Sequence, residues 1–201
     1  MASRIPEQIA RGNLRRKQVL DAAAMCMARS GFHGASMASI ARAAGMSPGH
    51  IYHYFDGKDA IIAALVSERV SRLAAQIGAI ELSVDPLAEI LQAVPKWIDE
   101  SIDAEKARLP VEIAAEACRN SVVADIARDA EHRAQTVFIS GLRAGRERLG
   151  LAIDEGVLRA RTSAIFSLFE GLRMRALHEQ GANTAVLAES VRIAVRGLLY
   201  E

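Results

Sequence analysis

The run Gly-Met-Ser-Pro-Gly-His-Ile-Tyr-His-Tyr-Phe at residues 45–55 concentrates hydrogen-bonding rings beside a turn. Its Ser-Pro pair is typical of a helix start, because a serine side chain caps free amides and a proline at the first position loses no hydrogen bond. His50, Tyr52 and His53 then offer donors that can reach phosphate oxygens or base edges. The run therefore predicts a short helix that presents polar rings to a nucleic acid.

A second short helix precedes this run, so the two form a helix-turn-helix. Ser36 is placed to cap the preceding helix, and Gly45 allows the tight turn that ends it. The second helix of such a motif enters the ~12 Å major groove of DNA. Gly49 has no side chain to hold the backbone away, and the free amides nearby attract phosphate. The large residues expected to turn inward as core are Ile51, Tyr54 and Phe55.

The charge is unevenly distributed along the 201 residues, although the formal net charge is only +1. Residues 1–60 contain eight Lys or Arg against four Asp or Glu, and residues 61–201 contain 17 basic against 20 acidic residues. A basic front is typical of a segment that meets a polyanion, whereas a chance fluctuation on a solvated surface is the alternative.

The spacing of the apolar residues indicates an all-α protein of about nine helices, because Val and Ile recur every three or four residues and no segment alternates as a strand does. We expect a flexible basic arm over residues 1–13, a helix-turn-helix head over 14–60 and a body over 61–201. The first helix is expected from about Leu14 to Ser30. A fourth helix from about Lys58 to Ile80 would be a rod of roughly 33 Å. In the body, Pro110 is expected to open a helix.

Other classes of protein find little support in the composition. With 51% hydrophobic residues the chain can bury a substantial core, and no stretch approaches the ~18 apolar residues of a membrane span. A cytoplasmic protein without a membrane association is therefore expected. Cys26 and Cys118 stand alone and are expected to be small core residues. No spacing indicates a metal, a cofactor or a catalytic triad.

The stretch ASMASIARAAGMSPGHIYHYFDGKDAI, residues 35–61, resembles the pattern that opens TetR-type transcriptional regulators, and the resemblance extends from Val19 to Leu65. Members of that family are all-α homodimers with a three-helix DNA-binding head, a long fourth helix, and a helical body that binds a small molecule and carries the dimer interface. Carried over position by position, the resemblance implies DNA contacts at Ser36, Arg42, Ser47, Pro48, Gly49, His50, Tyr52, His53 and Lys58. Of these, Tyr52, His53 and Lys58 are expected to meet phosphates.

Two positions, Ser39 and His50, differ from the usual pattern of this family or vary within it. Ser39 stands where the family often has Asp or Glu, so the reciprocal capping box with Ser36 is lost and only the simple cap remains. His50, the third residue of the recognition helix, varies among relatives and is expected to tune which operator is read.

The body is expected to hold a small-molecule effector and a dimer interface. Candidate ligand-binding residues lie on helices that enter its middle, and each has the alternative of being ordinary core or solvated surface: Trp97, Ile98, Ser101, Ile102, Ile113, Glu116, Phe138, Phe166, Phe169 and Arg173. The last two helices are expected to form the dimer interface, partly because Gly171 lets another helix approach closely.

The sequence thus favours a ligand-responsive regulator, most simply a repressor, that binds a near-palindromic DNA operator as a homodimer. Two alternatives stay open at this point. The first is a helical enzyme that retains a helix-turn-helix, and the second is a head that binds a protein partner, which would need an exposed apolar patch on the recognition helix.

Overall fold

Nine helices make up the part of the chain that the computed structural model describes, residues 4–152, 154–178 and 184–200. No strand occurs among these residues, so the all-α class is confirmed. In chain order the helices are α1 (Arg4–Gly34), α2 (Met37–Ala43), α3 (Pro48–Tyr52), α4 (Lys58–Glu81), α5 (Pro86–Ile102), α6 (Ala104–Ala117), α7 (Ser121–Arg148), α8 (Glu155–His178) and α9 (Thr184–Tyr200).

The first helix begins at Arg4, ten residues before the expected start near Leu14. Residues 4–13 are therefore helical, which differs from the flexible arm expected there, whereas residues 1–3 lie outside the described part. The helical path breaks at Gly31, whose φ of 71° and ψ of 169° leave the helical region. Because positive φ strains a residue with a Cβ atom, glycine suits this break, and the last turn of α1 can change direction.

Two compact units divide the chain by packing: Met1–Ser67 with Glu112–Ala127, and Glu68–Val111 with Arg128–Glu201. The division falls inside α4, and not after residue 60. It also assigns the end of α6 and the start of α7 to the same unit as the helix-turn-helix. The chain therefore passes between the units three times, each time within a helix.

The first unit is built around the three N-terminal helices and the start of α4. Its buried side chains come from every one of these elements, as the helical spacing predicts: Val19, Leu20, Ala23, Met27, Ile40, Ala41, Ile51, Phe55, Ile61 and Ile62. The second unit has its own core, in which α5 packs against α8 and α9. The half-buried Trp97 packs against this core, with its ring 6.2 Å from that of Phe138 and 6.1 Å from that of Phe169.

Two glycines let α7 pack closely within the second unit. A Cβ atom on Gly141 would lie 2.7 Å from Cγ2 of Ile77, and one on Gly145 would lie 2.5 Å from Cδ2 of Leu87. Both distances are shorter than van der Waals contact, so these positions require glycine in this packing.

Two expectations about the body were wrong. Pro110 does not open a helix but lies inside α6, which begins at Ala104; the cap is Asp103, whose carboxylate accepts from the amides of Glu105 and Lys106 at 3.0 and 3.3 Å. Cys118 is exposed and not part of the core, and Cys26 is half-buried. None of the helices over the described ranges is long and apolar enough to cross a membrane.

Candidate nucleic-acid interface

Helix α3 begins as the sequence predicts. The Ser47 hydroxyl accepts a hydrogen bond from the amide of His50 at 3.3 Å, and Pro48 occupies the first helical position. The preceding turn closes with a hydrogen bond from the amide of Gly45 to the carbonyl of Arg42 at 3.2 Å, and Gly45 has a φ of 63°. The turn and the cap together fix the direction in which α3 leaves α2.

The N-terminal cap of α2 pairs Ser36 with Ser39, where the family pattern often has Asp or Glu in place of Ser39. The Ser36 hydroxyl accepts from the amide of Ser39 at 3.0 Å, as expected for a simple cap. The hydroxyl of Ser39 donates to the carbonyl of Ser36 at 2.8 Å. Ser39 therefore supplies a reciprocal hydrogen bond of its own, although it lacks the carboxylate of a capping box.

Two residues anchor α3 to the head. Ile51 is fully buried and Phe55 nearly so, and the Arg16 guanidinium lies 4.6 Å above the Phe55 ring. Tyr54 was expected to be core as well, but it is only half-buried. Because Tyr54 follows the end of α3 and is not on its inner face, its ring remains partly in contact with solvent.

The outward face of α3 carries the three predicted donors. Tyr52 is 52% exposed, and His50 and His53 are exposed, so the expectation that Tyr52 and His53 face outward is confirmed. The Tyr54 ring lies 5.4 Å from each histidine ring. This tyrosine ring therefore packs against both histidine rings, a contact that the sequence did not predict.

Space for a close approach exists at the start of α3. A Cβ atom built on Gly49 would meet no atom within 4 Å, and Ser47, Pro48 and Gly49 are all exposed. The protein itself thus does not require glycine at position 49. A DNA backbone that approaches this point would supply the steric reason for it.

The two predicted cationic residues have different surroundings. Arg42 is exposed in the last turn of α2. The Lys58 ammonium donates to the carbonyl of Phe32 at 2.6 Å and lies 4.1 Å above the Phe32 ring. Lys58 therefore has partners inside the first unit, and its contact with phosphate stays a prediction.

Two contacts that sequence reasoning missed support this interface. The Gln18 side chain donates to the carbonyl of Ala44 at 2.7 Å, which holds the end of α2 against α1. Phe32 provides both the carbonyl and the ring that hold Lys58. Each contact joins residues far apart in the sequence, so no local spacing signalled it.

Glu116, a predicted ligand residue, belongs with Ile113 to the first unit. Its side chain is 2% exposed, and His33 Nε2 and Arg119 Nε lie 3.2 and 2.6 Å from its Oε2. Burial alone would raise the pKa of Glu116, but hydrogen bonds from Arg119 and Asn120 and the nearby His33 hold it below its usual value. Glu116 is thus an internal acceptor, and Ile113 is half-buried.

The other predicted ligand residues lie in the second unit. Phe138 lies between two aromatic neighbours, since its ring is 5.8 Å from that of Phe166 and 6.2 Å from that of Trp97. Arg173 and Ile102 are half-buried. The remaining candidates are buried: Ile98, Ser101 and Phe169. No group of three side chains able to hold a metal ion occurs within the described residues.

Comparison with known proteins adds three findings. Residues 19–65 match the family model described as bacterial regulatory proteins, tetR family. The HTH-type transcriptional regulator UidR of Escherichia coli K12 is 28% identical over 185 residues, 92% of each chain. The HTH-type transcriptional repressor Rv1474c of Mycobacterium tuberculosis is 44% identical over 61 residues, 30% of this chain and 33% of the relative.

Among solved structures, the transcriptional regulator FadR of Bacillus subtilis, in complex with stearoyl-CoA, has the same fold. Its TM-score is 0.71 at 20% identity, and the alignment covers 90% of this chain and 98% of that one. The family match over residues 19–65 spans the second half of α1, α2, α3 and the start of α4, and so it includes the elements that form the interface described above.

Proposed function

We propose that this chain, whose residues 19–65 match the tetR family of bacterial regulatory proteins, represses transcription as a homodimer that binds a near-palindromic operator and is released by a small molecule. The family and the relatives make it a DNA-binding transcriptional regulator and not an enzyme. Repression, the dimer and the release by ligand are the parts that we propose. A regulator that reads chromosomal DNA would work in the cytoplasm.

The exposed row on α3 is the observation that supports this proposal most directly. His50, Tyr52 and His53 face solvent while Ile51 holds the helix in the core. Imidazole and phenol groups can donate to phosphates or base edges, and nothing in the first unit occupies Gly49. We assign phosphate contacts to Tyr52 and His53, and base contacts to His50.

We propose a homodimer because one copy of α3 is too short to recognise an operator specifically. One α3 is a single turn and a half long, so it reads too few bases for specificity. Two copies about 34–36 Å apart would read successive major grooves on one face of the duplex. A relative of the head, Rv1474c, is named a repressor, which favours blocking over activation.

The second unit has its own core and is the place where we expect the effector. The FadR relative by fold was solved with stearoyl-CoA, so a body of this architecture accommodates a small molecule in that protein. A ligand that shifts α4 would change the separation of the two heads, because α4 runs from one unit into the other. A coupling free energy of about 1–3 kcal/mol is enough for a 5- to 150-fold change in affinity.

Binding of a protein partner through α3 has less support. Such a surface would present a contiguous apolar patch, whereas the exposed residues of α3 and the turn after it carry hydroxyl or imidazole groups, apart from Pro48 and Gly49. A helical enzyme has no support from the relatives, which are named as regulators.

The proposal is tested by footprinting and fluorescence anisotropy on the DNA upstream of the protein's own gene and its neighbours. We expect a protected near-palindrome, specific binding over random duplex, and affinity that falls steeply with salt as phosphates release counterions. Substituting Tyr52→Ala or His50→Ala should weaken binding about tenfold, the magnitude typical of one lost DNA contact.

The matched control is His132→Ala, which removes an exposed histidine from the second unit and should change affinity less than about twofold. Tyr52→Ala should leave thermal stability unchanged, since its ring is exposed. Equal affinity for random and genomic duplexes at low salt would contradict the proposal, and so would full affinity in the α3 variants.

A further inference from the structure

Arg15 on α1 is an exposed cation of the first unit whose partner is neutral. Its Nη1 donates to the side-chain oxygen of Gln18 at 3.0 Å, and it makes no ion pair with any residue that the structure describes. Lys17, two positions later, instead lies 3.3 Å from the Asp21 carboxylate. Because a guanidinium carries several N–H donors and no carboxylate offsets its charge, Arg15 can still bind an anion from solvent.

Gln18 connects Arg15 to the helix-turn-helix. The amide group that accepts from Arg15 also donates, through Nε2, to the carbonyl of Ala44 at 2.7 Å, across 26 positions of sequence. Ala44 is the C-terminal cap of α2 and directly precedes Gly45, the residue of the turn. Two hydrogen bonds in series therefore hold the Arg15 guanidinium beside the turn between α2 and α3.

A second cation lies at the same turn. Arg42 is exposed in the last turn of α2, and its carbonyl accepts from the amide of Gly45 at 3.2 Å. No Asp or Glu occurs in residues 22–55, so α2, the turn and α3 contribute no negative charge that would oppose these cations. Arg15 and Arg42 thus come from two different helices and give the turn that leads into α3 a positive surface.

This place on a helix-turn-helix is the one that meets the sugar-phosphate backbone. When the second helix of such a motif enters the major groove, the first helix crosses the backbone of the DNA. A cation held at the end of the first helix then lies close to phosphates. Contacts with phosphates fix the register of a protein on a duplex, but they carry no direct information about the base sequence.

We propose that Arg15 contacts a phosphate of the DNA strand that α2 crosses, and that Gln18 holds its guanidinium in position for this contact. The proposal rests on the DNA-binding function proposed above. Residue 15 lies before residue 19, where the match to the family model begins, so the family resemblance assigns it no role. Arg15 adds affinity for any duplex, and the choice of operator stays with the base contacts of His50.

Fluorescence anisotropy of the full-length protein with operator and random duplexes, from about 50 to 200 mM salt, tests the contact. Arg15→Gln should weaken binding of both duplexes by the same factor, about fivefold or more at low salt, because a charge-assisted hydrogen bond is lost. The slope of log affinity against log salt should become shallower by about 0.9 for each bound subunit, since one phosphate fewer is neutralised.

The matched control is Arg29→Gln, because Arg29 is an exposed arginine of the same helix. It lies 14 positions after residue 15, about 21 Å further along the helix axis, and its loss should leave the salt slope unchanged. Arg15→Lys keeps the charge and should keep the slope while losing part of the affinity. The thermal midpoint of Arg15→Gln should match that of the wild type, because the lost hydrogen bond is exposed.

Uncharged backbone linkages locate the contact on the DNA. A set of operator duplexes, each with one methylphosphonate linkage, is titrated with wild type and with Arg15→Gln. At the phosphate that Arg15 contacts, the neutral linkage should weaken binding of the wild type and leave the affinity of the variant unchanged. Gln18→Ala keeps the charge of Arg15 but not its support, and it should reduce this difference between the linkages.

Four results would overturn the contact: an unchanged salt slope of Arg15→Gln, an altered ratio of operator to random affinity, an equal effect of every neutral linkage on both proteins, or an equal change of slope in Arg29→Gln. The last result would show general attraction by charge. The two proposals fail separately. If no operator is found, the regulator is refuted while the salt slopes on random duplex still decide the role of Arg15, and operator binding with an unchanged slope overturns only Arg15.

Discussion

His33 Nε2 lies 3.2 Å from Oε2 of Glu116, and the Glu116 side chain is 2% exposed whereas that of His33 is 70% exposed. Arg119 Nε and Asn120 Nδ2 also donate to the same carboxylate, at 2.6 and 3.3 Å. A buried acceptor on α6 is thereby fixed to the last turn of α1, within the unit that carries the helix-turn-helix.

Glu116→Gln is expected to lower the free energy of unfolding by about 1–2 kcal/mol at pH 7, because hydrogen bonds to a charged acceptor are lost. The folded pKa of Glu116 lies below its usual value of 4.5, so its contribution is complete above that pH and is lost as the pH falls through the folded pKa. Wild type and variant should therefore converge in acid. Urea unfolding at fixed protein concentration from pH 7 downward measures this.

The control for that comparison is Glu105→Gln on the same helix, whose side chain is 77% exposed and pairs with Arg108 at 3.1 Å. An exposed ion pair contributes little, so this variant should match the wild type. Equal stability of Glu116→Gln at neutral pH would refute the role assigned to the buried carboxylate.

Gly49→Ala is expected to leave stability unchanged or slightly higher and to weaken operator binding about tenfold or more. An added methyl group meets no protein atom within 4 Å, so only an approaching DNA backbone can collide with it. Thermal unfolding and operator anisotropy give the two quantities.

Gly78→Ala is the matched control, because Gly78 lies inside α4 and its Cβ would likewise meet no atom within 4 Å. It should show the same stability change and full operator affinity. If Gly49→Ala also kept full affinity, the close approach of DNA to α3 would be wrong.

Ile193→Glu is expected to shift the protein from dimer to monomer, as measured by light scattering after size exclusion. Ile193 on α9 is 61% exposed and Met174 on α8 is 43% exposed, while a Cβ on Gly171 would meet no atom within 4 Å. A carboxylate placed in an apolar interface between copies is costly because it loses its water. Secondary structure should persist, since the side chain is exposed in the single chain.

Leu82→Glu provides the comparison, because Leu82 is an apolar residue of the second unit that is 87% exposed and lies outside α8 and α9. It should remain dimeric. A dimer that survives Ile193→Glu, or one that Leu82→Glu disrupts instead, would place the interface elsewhere.

Local sequence rules predicted the recognition segment well, because its geometry is set by near neighbours. The Ser36 and Ser47 caps and the turn at Gly45 each depend on residues within four positions, and the helical spacing alone marks Ile51 as an inward position. The prediction that Pro110 opens α6 was wrong for a related reason. Pro110 is a familiar helix opener, but Asp103 already caps the helix seven positions earlier, and the proline is tolerated inside.

Contacts between distant segments could not be predicted in this way. No local spacing indicated that Glu116 contacts His33 on another helix or that Lys58 contacts Phe32. Tyr54 and Cys118 were assigned to the core from their type, whereas their exposure is decided by where a helix ends. Packing between elements, and not propensity, determines these four positions.

The aromatic cluster of the second unit has a spectroscopic consequence. Trp97 is the only tryptophan of the chain, and its indole lies about 6 Å from the rings of Phe138 and Phe169. Selectively excited intrinsic fluorescence of the protein therefore originates in one unit alone. The emission wavelength and the quenching by iodide would therefore report changes around Trp97 in the second unit, and not changes around α3.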